Sequence, residues 1–182
     1  MNKADDQASL AAQAQLALSA SDAVAAIANG SLGAADYMRT LLAQARAQAG
    51  LNSLITVNAD AALAAAMRVD AARAAGQPLP PLAGLSIVVK DNIDTHGMPT
   101  TAGTPALRDW YPPANAPGVQ RLLDAGAIVL GKANLHELAF GATSTNFSSF
   151  AGHVKNPYDS ARIPGGSSGG TAAAIAARIA PA

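Results

Sequence analysis

Apolar residues recur at helical spacing through the first part of the chain, and compact apolar runs replace them after residue 84. Residues 1–20 read as a frayed or weakly helical lead. "SDAVAAIANG" (21–30) predicts a helix with Ser21 or Asp22 as its cap, Val24 and Ile27 on one face and Gly30 as its stop. In "GAADYMRTLLAQARAQAG" (33–50) Tyr37, Leu41, Leu42 and Ala45 repeat at the same spacing, and Gly50 ends the pattern. "LITV" (54–57) is a short strand. "NADAALAAAMRVDAARAAG" (58–76) predicts a third helix, capped at Asn58 or Asp60, with Leu63, Met67 and Ala71 in line. The prolines of "GQPLPPLAG" (76–84) make that stretch a loop.

"LSIVVK" (85–90) reads as a buried strand ending in a lysine, and the polar stretch 91–107 as an irregular loop. "GVQRLLDAG" (118–126) is a short helix with Val119, Leu122 and Leu123 on one side. "AIVLGK" (127–132) is a second buried strand. Strand, crossover helix and strand make a βαβ unit, so these two strands should run parallel in one sheet. "NLHELAFG" (134–141) starts another short helix, a long loop follows to residue 163, and "TAAAIAARIA" (171–180) is a helix with Thr171 near its start.

The chain has 182 residues, 50% hydrophobic and 13% charged, which is the composition of a folded domain and not of a disordered chain. Much of the apolar content is alanine, so the core should be thin for this length. Twelve basic residues balance twelve acidic ones without a basic stripe, which argues against a nucleic-acid partner. There are no cysteines, which excludes disulfides, thiol nucleophiles and cysteine-based zinc sites. The start carries no secretory leader, and no apolar run approaches the roughly 20 residues that cross a bilayer. A cytoplasmic protein with no membrane association is the expectation.

"RIPGGSSGGTAAA" (162–174) has the composition of a linker, but it runs straight into a helix. Unpaired backbone N–H groups at a helix start favour negative charge, and glycines let the backbone approach a ligand closely. This context predicts a functional turn.

"PGGSSGGTAAA", "VVKDNIDTHGMPTTAGT" and "GAIVLGKANLHELAFG" together resemble the amidase signature family, over roughly residues 25–182 and most specifically from Leu82 onward. The resemblance implies an α/β fold: N-terminal helices followed by part of a mixed, largely parallel sheet flanked by helices. It implies one amidase domain of which this chain is the N-terminal part, with a lead at 1–20, a helical region at 21–80 and the start of the core at 81–182. It implies cleavage of a carboxamide by a Ser-Ser-Lys triad. The family's lysine corresponds to Lys90, and its bridging serine, preceded by a cis peptide bond, to Ser167. The family's nucleophile lies in a segment further along than Ala182, and no serine present here takes its place.

In that scheme a neutral Lys90 accepts a proton from Ser167, which takes one from the attacking serine, and burial at the strand end supplies the lowered lysine pKa. Ala139, Phe140, Gly141 and Gly166 are expected to line the substrate pocket, and Ser168 to be a turn residue. His136 is expected at the pocket rim, since a zinc-protease helix needs a histidine where Phe140 stands. His96 and His153 read as loop residues, and Asp91, Asn92 and Asp94 as hydrogen-bonding groups of their loop. No metal and no cofactor are expected.

"NLHELAFGATSTN" most resembles indoleacetamide and mandelamide hydrolases, which take small arylalkyl amides. The A subunit of glutamyl-tRNA(Gln) amidotransferase, with an acidic residue at the position of His136 and methionine at that of Phe140, is the alternative. A truncated, non-catalytic remnant is the third. The chain alone is expected to be inactive. A small-molecule amide is the expected partner, and the helices at 21–49 could pair in a homodimer.

Overall fold

The computed structural model describes residues 3–182. Its elements are α1 (Lys3–Leu16), α2 (Ala20–Asn29), α3 (Ala34–Ala47), β1 (Leu54–Val57), α4 (Ala59–Ala74), β2 (Ser86–Lys90), α5 (Pro117–Asp124), β3 (Ile128–Ala133) and α6 (Gly169–Ala176). Met1 and Asn2 of the expected lead lie outside the described residues; residues 3–19 of it are α1 and the turn after it, and Ala20 begins α2. The fold is mixed α/β. Three strands lie in the order β1-β3-β2, with β1 antiparallel to β3 and β2 parallel to it. The predicted βαβ unit is therefore present, with α5 as its crossover.

The sheet separates two apolar clusters, as alternation along a strand requires. Val88, Ile128, Leu130 and Ala133 face the helical layer, where they meet residues of α2, α3, α4 and α6. Ile87, Val89 and Val129 face the other way and pack with Val119, Ala127 and Met98. In α3, Tyr37, Leu41, Leu42 and Ala45 are all buried, as their spacing predicts. In α4 the buried residues are Ala62 and Ala66, not the line Leu63, Met67 and Ala71; Met67 is half-exposed. The correction has a steric reason: α3 supplies the bulky side chains, and a small face on α4 lets the helix approach them.

Polar side chains join the helix ends. Ser19, not Ser21 or Asp22, caps α2, its Oγ accepting from the Asp22 N–H. Gly30 ends that helix in the left-handed conformation. Asp70 of α4 accepts from the N–H groups of Ala34 and Ala35, both at 2.9 Å, and so places an anion at the start of α3. Arg73, one turn on, donates to Ile27 O at 2.7 Å and places a cation at the end of α2. Asn58 precedes α4 without a side-chain cap; its N–H and amide go instead to Leu130 O and Val129 O of β3.

On the outer rim of β2, the Val88 N–H donates to Ala182 O at 3.0 Å, so the residues after α6 come back to the sheet. An apolar groove of about 640 Å³ opens beside that rim, lined by Leu85, Ile87, Val89, Ile93, Val119 and Leu122. Leu122, expected on the packed side of α5, is exposed into this groove. Among the described residues no single helix is long and apolar enough to cross a membrane.

Candidate active site

Lys90 is the last residue of β2. The four residues before it are buried, and only Lys90 reaches partial exposure. Its Nζ lies 2.6 Å from Ser167 Oγ, across 77 positions of sequence. Burial pushes the Lys90 ammonium below the usual lysine value. As an ammonium Lys90 donates from Nζ to Ser167 Oγ; once deprotonated, its lone pair can accept from the Ser167 hydroxyl.

The Gly-Ser hairpin carrying Ser167 has a cis Gly166–Ser167 peptide. Four hydrogen bonds hold it. The His136 N–H donates to Ser167 O at 3.0 Å, and the Gly170 N–H donates to Asn134 O at 3.0 Å. Ser144 Oγ accepts from the Gly169 N–H at 2.8 Å and reaches Ser167 O at 3.4 Å. The glycines here are steric necessities: a Cβ on Gly169 would overlap Ser144 Oγ, and one on Gly170 would overlap Asn134 O. The helix that follows, α6, starts at Gly169, two residues earlier than its sequence suggests. Ser168 precedes it as a turn residue whose side chain makes no cap bond.

Residues 134–141 do not form the expected short helix. Glu137–Ala139 make one 3₁₀ turn, broken by the positive φ angles of Leu138 (55°) and Ala139 (57°). The turn carries the expected pocket residues on a surface loop: Ala139 is partly exposed, Phe140 is 89% exposed and Gly141 is open. His136 stands at the start of this loop. Its Nδ1 lies 3.1 Å from Thr143 Oγ1, and its ring leaves no room for a Cβ on Gly141. Gly166 is as tightly placed, since a Cβ there would lie 2.8 Å from the backbone nitrogen of Ser144.

His96 and His153 sit on exposed loops; the His96 N–H donates to Asn115 Oδ1, and the His153 ring meets Phe147 edge-on. Asp91 is buried in its loop, while Asn92 and Asp94 are exposed. Among the described residues no three His, Asp or Glu side chains gather as a metal site.

The sequence reading missed the polar framework around the hairpin. Buried Asn134 donates from Nδ2 to Asn52 O and Ala151 O, and buried Asn146 donates to Asn134 Oδ1, Leu135 O and Gly152 O. Nothing in the spacing of "GATSTN" marks Ser144 or Asn146 apart from their neighbours. Lys132 left a signal: a lysine inside an otherwise apolar strand has to find a buried partner.

Comparison with known proteins extends these observations. The family model described as Amidase matches residues 36–182. The A subunit of the glutamyl-tRNA(Gln) amidotransferase of Acidothermus cellulolyticus is 50% identical over 131 residues, which are 72% of this chain and 26% of that protein. Its counterpart in Thermobifida fusca is 45% identical over 167 residues, 91% of this chain and 33% of that protein. The crystal structure of the peptide amidase of Stenotrophomonas maltophilia superposes with a TM-score of 0.82 at 35% identity, over 90% of this chain and 35% of that one. This chain thus spans about a third or less of the curated relatives it matches here. These matches favour kinship with the amidotransferase protein over the expected arylalkyl amide hydrolases. With the family model covering the sheet, the Lys90 strand and the Ser167 hairpin alike, the chain belongs to the amidase family, the amidase signature enzymes.

Proposed function

We propose that residues 1–182 carry the proton-relay part of an enzyme that hydrolyses a carboxamide, and that this enzyme is the A subunit of an amidotransferase, whose released nitrogen serves the amidation of glutamyl-tRNA(Gln). The observation that carries the reading is the 2.6 Å approach of Lys90 Nζ to Ser167 Oγ, with the lysine pKa lowered by burial. A neutral amine there takes the Ser167 proton, and Ser167 takes one from an attacking hydroxyl as it adds to the amide carbon; the relay then returns a proton to the departing amine. Ser167 Oγ is bonded to Lys90 Nζ; the attacking hydroxyl is expected from a further segment of the protein, and no ammonia release is expected from residues 1–182 alone. Ala139, Phe140, Gly141 and Gly166 border the acyl side of the site. The amidotransferase assignment follows the relatives named above, at 50% and 45% identity.

A second reading, hydrolysis of small arylalkyl amides, draws support from the exposed aromatic ring of Phe140 on the 137–141 loop. One experiment separates the readings. The coding sequence beyond the Ala182 codon is determined, the extended protein is expressed, and ammonia release is measured from glutamine and from an arylacetamide. The expected result is no release by residues 1–182, release from glutamine by the extended protein, and a loss of ~10²–10⁴-fold in kcat on Lys90→Ala. Preference for the arylacetamide selects the second reading. A stop codon directly after Ala182, or ammonia release by residues 1–182 that depends on Lys90, overturns the proposal.

A further inference from the structure

A second lysine sits behind the first. The β2–β3 register sets Val89 opposite Lys132 and Lys90 opposite Ala133. Residues opposite one another share a face of the sheet, so Lys90 and Lys132 point to opposite sides of it. Lys132 and Asp91 are both fully buried, with Nζ 3.2 Å from Asp91 Oδ1. Lys132 also donates to Ile93 O at 2.9 Å and to Thr100 Oγ1 at 2.8 Å. Asp91 Oδ2 accepts from the Thr101 N–H at 3.0 Å and from the Thr101 hydroxyl. Oδ1 has no donor aligned on it and relies on the Lys132 charge.

The pair reaches two parts of the candidate site through the backbone. Asp91 follows Lys90 directly, and its N–H is bonded to Ala133 O at 3.0 Å, which holds the end of β2 against β3. Asp91 O accepts from the Ala102 N–H at 2.8 Å, and Ala102 O accepts from the Leu138 N–H at 2.8 Å. That chain of bonds ends at the strained residues Leu138 and Ala139 of the pocket loop. A buried ion pair adds little net stability, because desolvating both charges offsets their attraction. What such a pair can supply instead is one fixed geometry.

We propose that Asp91 and Lys132 are positioning residues, which hold Lys90 against Ser167 and set the Leu138–Gly141 loop without touching substrate. The proposal rests on the reading of Lys90 and Ser167 as the relay. On the segments that adjoin β2 and β3 at this end the titratable groups are Asp91 and Asp94 after β2, Lys132 on β3, and His136 and Glu137 after β3; α6 contributes none. Asp94 adds to the negative field at Lys132.

The test uses residues 1–182 and trace labelling with acetic anhydride over a pH series, with each lysine resolved by mass spectrometry and exposed Lys155 as the internal reference. Lys132→Met, Asp91→Asn and the double variant are compared with the wild type. Thr101→Val, which removes one donor to Asp91 and no charge, is the mildest probe. In the wild type Lys90 is expected to label with a midpoint below that of Lys155. In each variant that retains a cooperative thermal transition, the Lys90 midpoint is expected to move: toward that of Lys155 in Thr101→Val, where no charge is lost, and by about one pH unit in Lys132→Met, but less in Asp91→Asn, which also removes an anion that favours the Lys90 ammonium. A folded variant with an unchanged Lys90 profile overturns the proposal, and so does loss of folding in all four, which would assign the pair to stability alone. A wild-type Lys90 that titrates like Lys155 sinks the relay reading itself, which keeps the two failures apart.

Discussion

Residues 20–76 and residues 91–170 close by different means. The first region is a layer of helices joined by apolar contact, with large side chains on α3, alanines on α4 and a few polar bonds, among them the Asp70 and Arg73 contacts at the helix ends. The second is mostly loop, and polar side chains hold it: Asn134 and Asn146 reach backbone carbonyls, Ser144 grips the hairpin, and Asp91 with Lys132 fixes the turn after β2. Apolar contact is non-directional and tolerates repacking, whereas hydrogen bonds fix both distance and angle. The part of the molecule that brings Lys90 and Ser167 within 2.6 Å is the part built from directional bonds.

The largest expected effect is on the apolar side. Leu130 is fully buried at the centre of β3, and Leu130→Ala is expected to lower the stability of the whole chain by about 2–5 kcal/mol, read from denaturant unfolding. If the midpoint hardly moves, the helical layer is not the source of global stability and the contrast fails. Asn134→Ala comes next. It strips partners from Asn52 O, Ala151 O, the Leu135 N–H and Asn146, at about 1–3 kcal/mol for a buried group left unpaired. Its signature in hydrogen exchange should be local, with faster exchange over residues 134–153 and unchanged protection in α3 and α4. Equal loss in both regions would erase the distinction.

Asp70→Ala should cost about 1 kcal/mol, since it removes the carboxylate that caps α3 and leaves two N–H groups without it; thermal denaturation measures this.

The smallest effect is a slope against pH. Lys90 and Lys132 both have folded-state pKa values below the ordinary 10.5 through burial, and for Lys132 the Asp91 charge opposes the shift. Between the folded value and 10.5 the unfolded chain therefore binds more protons, and stability rises with pH over that window. Buried Tyr37 acts oppositely: its pKa is raised above 10.0, so stability falls as pH climbs past that value. Lys90→Met should flatten the rise below about pH 10 and leave the Tyr37 decline in place. An identical slope in wild type and variant would show that Lys90 is solvated like a surface lysine.

Much of the scaffold is legible in the residues themselves. Short apolar runs with a crossover helix between them specify parallel strands, and the family motifs place Lys90 and Ser167 in the same site before any geometry is known. The alanine-rich α4 defeats a periodicity reading, because alanine on every face leaves the buried side to be chosen by neighbours. The 134–141 segment misleads for another reason. Its composition suits a helix, but Leu138 N–H is taken by Ala102 O and His136 N–H by Ser167 O, so the backbone donors are spent on tertiary partners. Ser144, Asn134 and Asn146 are invisible for the same reason: their roles exist only once distant loops meet.

The rim of β2 has a practical consequence. The Val88 N–H on this rim is taken by Ala182 O, so a polypeptide stacking edge-to-edge beside the apolar groove would have to displace the residues that follow α6. Leu122, exposed in the groove, is the position where a lysine would discourage such stacking without disturbing the packed core.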